Sequence, residues 1–199
     1  MPKVFFVIGP AGSGKSSVSQ RIAAHFGAAY IDKDTATRRF TEMLLRINGS
    51  DVNERDNNEF YQQRILPLEY QTILDLARDN LLAGNDVVLD APFGRFVADD
   101  GYIDAIAAVQ GWPAAEMVVV HVRVDGEIVR QRIIARGYPR DEWKINHWEQ
   151  FWAGAQSSAC QWRSARHVVF DNTPDAAGRL DLDTFVAELD GVPAPLAGG

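Results

Sequence analysis

Five apolar residues at 4–8, VFFVI, run directly into GPAGSGKS at 9–16, and from there into a stretch where Val18, Ile22 and Phe26 recur at four-residue intervals. Few features constrain a fold as tightly. The apolar run has the length and composition of a buried strand, and the recurring positions mark one face of a helix. The octapeptide between them fits G-x-x-x-x-G-K-[ST] at every position. Its glycines let successive backbone N–H groups turn inward around an anion, and the following helix adds the positive end of its dipole. Lys15 suits the outer phosphates of a nucleoside triphosphate, and the Ser16 hydroxyl suits Mg²⁺. The expected phosphate-binding group is Gly9, Pro10, Ala11, Gly12, Ser13, Gly14, Lys15, Ser16 and Ser17.

Further short apolar runs at 28–31, 87–89, 117–122 and 168–170 alternate with segments of helical spacing. Strands buried on both faces and separated by helices predict an α/β fold with a parallel sheet of five strands. The chain has 199 residues, which suits a single domain over 1–190, followed by a tail at 191–199 of small residues and prolines expected to fray.

The spacing predicts helices from about Lys15 to Gly27, over 37–47, over 58–83 and from an Asp125 N-cap to Gly137. Pro67 should kink the third or mark a fresh start, and Gly84 should cap it. Residues 35–58 interrupt the alternation. They read equally well as an element covering a substrate or as a solvated connection.

The formal charge of −7 argues against a nucleic-acid partner, because polynucleotides are held by clustered Lys and Arg. A local arginine cluster can still oppose the global sign around a small anion. Lysine occurs only at 3, 15, 33 and 144, so arginine supplies most of the positive charge. A lone Cys160 excludes an internal disulfide and reads as a buried small hydrophobe, and the four histidines show no ligand or triad spacing. Trp148 and Trp152 share a helix face and read as packing. No apolar run is long enough for a signal peptide or membrane span, so the expectation is a cytoplasmic protein, monomeric or homodimeric, without a membrane partner.

On GPAGSGKS in its strand and helix setting, the chain resembles P-loop NTPases. Within them it resembles the small-molecule kinases, such as shikimate and gluconate kinases, and the antibiotic phosphotransferases built on the same scaffold. That resemblance implies a three-layer fold, a sheet in the order 2-3-1-4-5 with helices on both faces, and a mobile lid, here at about 136–146. The cofactors it implies are ATP, with GTP not excluded, and Mg²⁺.

The D-x-D of "IDKDT" is similar to that of shikimate kinases. By this likeness Asp32 holds Mg²⁺ through water and Asp34 accepts the proton of the attacking hydroxyl. From the residues alone, one of the two could instead cap the next helix. Lys33 between them points away if the backbone is extended. "DAPFGR" faintly resembles the D-G-F-P-R of adenylate-type kinases, which makes Asp90 and Arg95 candidate acceptor contacts along with Asp34 and Arg38. Ala91 stands where a hydrolysing ATPase carries an acid. Likeness to lid arginines selects Arg136 and Arg140 as catalytic cations beside Lys15 and Asp34, and leaves Arg130 and Arg132 as surface charges. "HVVFDNTPD" resembles the adenine-side loop of these kinases.

The function expected is transfer of the γ-phosphate to a hydroxyl of a small molecule: a sugar acid, a nucleoside or a hydroxylated antibiotic. The alternatives are a polynucleotide 5′-hydroxyl kinase and a nucleotide-binding regulatory ATPase. A GTPase would show N-K-x-D, which is absent.

Overall fold

The computed structural model describes residues 1–157, 159–174 and 181–191. Its elements run β1 (Lys3–Ile8), α1 (Lys15–Phe26), β2 (Ala29–Asp32), α2 (Lys33–Ile47), α3 (Leu66–Leu82), β3 (Val87–Asp90), α4 (Tyr102–Gln110), β4 (Glu116–Arg123), α5 (Gly126–Arg136), α6 (Glu142–Asn146), α7 (Trp148–Ser157), β5 (Arg166–Asp171) and α8 (Leu182–Gly191). The five strands form one sheet in the order β2-β3-β1-β4-β5, with every pairing parallel. This is the order that the resemblance implied.

The sheet divides its side chains by the twofold period of a strand. Phe5 and Val7 face α1 and α8, where they meet Val18, Ile22, Val186 and Leu189. Val4, Phe6 and Ile8 face α3 and α4, where they meet Ile73, Ala77 and Ile103. β1 is therefore buried on both sides, and its C-terminal end can emerge only at the edge where the glycine-rich loop begins. Phe6 sits among three aromatic rings, with its centroid 5.5 Å from Phe93, 6.4 Å from Trp112 and 5.3 Å from Trp162.

Several local expectations hold. Asp125 caps α5 by accepting from the Glu127 N–H, and Gly137 closes the helix in the left-handed conformation. Trp148 and Trp152 stack at 5.6 Å. Others need correction. The helix expected from 37 begins at Lys33, because Asp32 caps it by accepting from the Thr35 N–H. The helical region expected over 58–83, with a kink or fresh start at Pro67, does start afresh there: a π-helical turn occupies Tyr61–Ile65 and α3 begins at Leu66. Pro67 explains the break: it has no N–H to return to the residue four before it.

Cys160 is half-buried rather than buried. The histidines are not all isolated, for His121 Nε2 lies 2.8 Å from His167 Nδ1 across β4 and β5. Burial, the neighbouring His167 and Arg123 push His121 down to about 4. The tail at 192–199 lies outside the described residues.

Phe6→Ala should lower the free energy of unfolding by about 3–5 kcal/mol, because the three surrounding rings cannot collapse into the vacated volume. Urea unfolding would show this as a lower midpoint at unchanged slope. A loss under ~1 kcal/mol would mean that the cluster relaxes freely.

Candidate active site

The loop after β1 is shaped by glycine. Gly14 sits at φ 88° and Gly12 at φ 82°, a region that side chains rarely adopt. Space is equally restrictive. A Cβ on Gly14 would lie 2.2 Å from Asn172 Nδ2, and one on Gly12 would lie 2.8 Å from Ile133. The loop is braced from behind as well: the Ser13 carbonyl accepts from Asn172 Nδ2 at 2.6 Å and from Arg132 Nη1 at 3.3 Å. Arg132 also donates to the Asn172 carbonyl at 3.2 Å. Arg132, expected as a surface charge, therefore ties α5 and the end of β5 to the loop.

Lys15 arches back over the loop and donates to the Pro10 carbonyl at 2.9 Å. Burial lowers its pKa, against the pull of Asp90 and Asp34. Asp90 closes β3 and is buried, and Tyr30 donates to its Oδ2 at 3.0 Å. Burial raises the Asp90 carboxyl above its ordinary 3.8, while a hydrogen bond from Ser16 and the charge of Lys15 oppose the rise. The turn that follows is strained, with Phe93 at φ 52° and its N–H donating to the Tyr70 hydroxyl at 3.0 Å.

Asp34 lies in the first turn of α2 and is bracketed by cations. Its Oδ1 is 3.2 Å from Lys33 Nζ and its Oδ2 is 2.8 Å from Arg140 Nη1. Burial alone would raise this carboxyl, but Lys33 and Arg140 outweigh it and hold it at about 2. The expectation that Lys33 points away fails because the backbone there is already helical. Lys33 instead turns inward to Glu69 at 2.5 Å.

Lys15, Lys33, Asp34, Asp90, Arg132 and Arg140 open onto one cavity of about 980 Å³ at the C-terminal ends of the strands. Its wall carries nine Lys or Arg side chains against six Asp or Glu, in a chain whose net charge is −7. The site thus inverts the sign of the molecule.

Asp32, Asp34, Arg38, Asp90, Arg95, Arg136 and Arg140 all line it, together with Lys15 and Ser16. Arg38 is exposed on the wall. Arg95 is anchored to the Gln62 carbonyl at 3.1 Å. Arg136 bonds Asp141 at 2.6 Å, and with Arg140 it flanks the Tyr138 ring at 5.3 and 5.4 Å. Lys144 reaches from α6 to Asp56 at 2.6 Å, bridging two sequence segments across the cavity.

No role is legible in the sequence for Tyr61 or Lys144, whereas Glu69 carries a signal: an acid on the apolar stripe of α3, three residues after Leu66 and four before Ile73.

Among the described residues, no group of three or more His, Cys, Asp or Glu gathers to hold a metal by itself. That suits Mg²⁺, which keeps waters and phosphate oxygens as ligands and takes few from protein. The Ser16 hydroxyl, with Asp32 and Asp90 on the same wall, is a donor set of that kind.

Gly14→Ala should lose nucleotide binding by at least about tenfold, since strain and collision with Asn172 both oppose it. Gly27→Ala is the control: it has φ 64° with nothing within 4 Å, so it should cost only about 1 kcal/mol of stability and leave binding intact. Titration with a fluorescent ATP analogue beside thermal melts separates the two.

Comparison with known proteins agrees with this geometry. Residues 4–158 match the AAA_33 family, described as an AAA domain. A cytidylate kinase of Nocardia farcinica is 31% identical over 137 residues, covering 68% of this chain and 55% of that protein. One from Corynebacterium diphtheriae is 36% identical over 104 residues, covering 52% and 42%. The chain spans about half the length of these curated relatives.

Among solved structures, a candidate kinase from Chloroflexus aurantiacus superposes at a TM-score of 0.69 with 14% identity, covering 97% of this chain and 99% of that one. A sugar kinase from Janibacter sp. HTCC2649 superposes at 0.60 with 12% identity, covering 95% and 92%. These two share the fold. Because the family match runs from β1 through α7 and takes in the glycine-rich loop, the chain belongs to the AAA_33 family of AAA domains, built on the P-loop fold.

Proposed function

We propose that this protein is an ATP- and Mg²⁺-dependent kinase that moves the γ-phosphate to a hydroxyl of a small molecule. One observation carries the reading: the phosphate-binding loop and a cation-bracketed Asp34 face the same cavity. The backbone amides of 9–17 and Lys15 grip the triphosphate. Ser16 would hold Mg²⁺, with Asp32 and Asp90 behind it, and the ion would supply neutralisation of charge on the terminal phosphates.

Asp34 accepts a hydrogen bond from the acceptor hydroxyl and turns its oxygen toward the terminal phosphorus. A new O–P bond forms as the bond to the ADP oxygen breaks, and the hydroxyl proton leaves by way of Asp34. A carboxylate held near 2 is a weak base, but a loose transition state asks for orientation more than for early deprotonation. Arg136 and Arg140, in the lid segment, stabilise charge on the transferring group.

The cationic wall favours an acceptor that carries an anionic group as well as the hydroxyl, such as a sugar acid. The names of the cytidylate kinase relatives support a second reading, with a nucleoside monophosphate as acceptor. Asp34 weighs against it, because a phosphate acceptor has no need of a carboxylate beside it.

A screen of sugar acids, nucleosides, hydroxylated antibiotics and nucleoside monophosphates, followed by ADP release, tests the proposal. ADP release should require an acceptor. Equal hydrolysis without one would overturn the kinase reading in favour of a regulatory ATPase. Lys15→Met should abolish turnover, and Asp34→Asn should remove transfer while ATP still binds.

The pH dependence follows from the two shifts. Asp34, depressed to about 2, stays ionised from about pH 4 upward. It therefore contributes no acid limb to kcat/KM in that range. Asp90 is raised above 3.8, so it is the candidate for an acid limb: activity falls as acid protonates it and recovers at higher pH. Asp90→Asn should flatten that limb as well as slowing turnover. A limb that persists in this variant would assign it elsewhere.

A further inference from the structure

Glu69 has no solvent exposure, yet it lies on a helix face that otherwise packs apolar residues. Three donors satisfy it. Lys33 Nζ at 2.5 Å and the Tyr61 hydroxyl at 2.9 Å reach Oε2, and the Thr41 hydroxyl at 2.6 Å reaches Oε1. Lys33 is buried too, with only 7% of its side chain exposed, and its Nζ sits 3.2 Å from Asp34 Oδ1.

Holding α2 against α3 does not require this arrangement. Removing two charges from water is expensive, and well-packed neutral groups of similar size join helices as well or better. What a neutral pair could not supply is a fixed cation beside Asp34. The other cation on Asp34 is of a different kind: Arg140 comes from the segment between α5 and α6, its side chain is 31% exposed, and it holds the opposite oxygen, Oδ2.

We propose that Glu69 is a positioning residue: it anchors Lys33 on Oδ1 of Asp34, so that Oδ2 alone exchanges between Arg140 and the acceptor hydroxyl. This rests on the reading of Asp34 as the group that orients the acceptor. In that division of labour, Lys33 sets the rotamer of Asp34 before any ligand arrives. Arg140 leaves Oδ2 when the hydroxyl takes its place and becomes available to the transferring phosphate. Thr41 and Tyr61 hold Glu69 against rotation, so the anchor extends from α2 through the π-helical turn to α3.

The test is Lys33→Met/Glu69→Gln. It removes both charges together and leaves one accepting oxygen and one NH2 group facing the Thr41 and Tyr61 hydroxyls, which can accept as well as donate, so the urea midpoint should stay near that of the unaltered protein. The proposal expects kcat for phosphoryl transfer to fall roughly 100-fold while KM for ATP changes less than about twofold. Wild-type kcat in this folded variant, or a loss shared equally by kcat and ATP binding, would show the pair to be structural only and would overturn the proposal.

Should the double variant be unstable, Glu69→Gln alone keeps the shape and the accepting oxygen, and it should again lower kcat without raising KM for ATP. An unchanged kcat there has the same adverse meaning. Asp34→Asn in parallel separates the two layers. Loss of transfer in that variant with full activity in the Glu69 variants sinks the positioning role alone, whereas retained transfer sinks the reading on which it rests.

Discussion

The close packing of backbone around the loop after β1 is the constraint on which the site depends. At Gly12 and Gly14 the chain is left-handed, and its neighbours occupy the space that a side chain would need. This costs conformational entropy, and the cost is offset by bracing from two distant elements. Arg132 of α5 and Asn172 beyond β5 both donate to the Ser13 carbonyl. A loop held this way presents its amides without rearranging when a phosphate arrives, which is the condition under which fixed dipoles are most effective.

Electrostatics extends the argument from the loop to the cavity. The chain is acidic as a whole, yet the cavity wall carries an excess of cations. Field focusing in such a cleft concentrates anionic ligands that the outer surface repels. Within the cavity the acids are not left as unpaired charges. Asp34, Asp56 and Asp141 are each paired with Arg or Lys, and Asp90 is hydrogen-bonded by Tyr30. The pairs join the segment after α5 to α2 and its following loop, so that wall of the cavity is held by charge contacts, while the glycine-rich loop is held by side-chain hydrogen bonds to its own carbonyl.

Most departures from sequence expectation lie along α2 and the turn before α3, and have local causes. Asp32 was open to two roles, and the structure gives it the cap of α2. That starts the helix four residues early and turns Lys33 from outward to inward. Pro67 was expected to disturb a long helix, and it does so through a π-helical turn that places Tyr61 over Glu69. The histidines gave no signal because His121 and His167 stand 46 residues apart and meet only through the pairing of β4 with β5.

By itself the sequence determined the five strands, the first helix and the glycine-rich loop between β1 and that helix. Glycine placement, apolar period and capping residues act between neighbours along the chain, so β1, the loop, α1 and the ends of α5 could be read directly. The order of the strands was reached through resemblance. Only the tertiary structure decided which charges meet. Glu69 finds Lys33 across 36 positions, and Asn172 finds Ser13 across 159. Such contacts depend on how helices and strands dock, and no short-range periodicity encodes that distance.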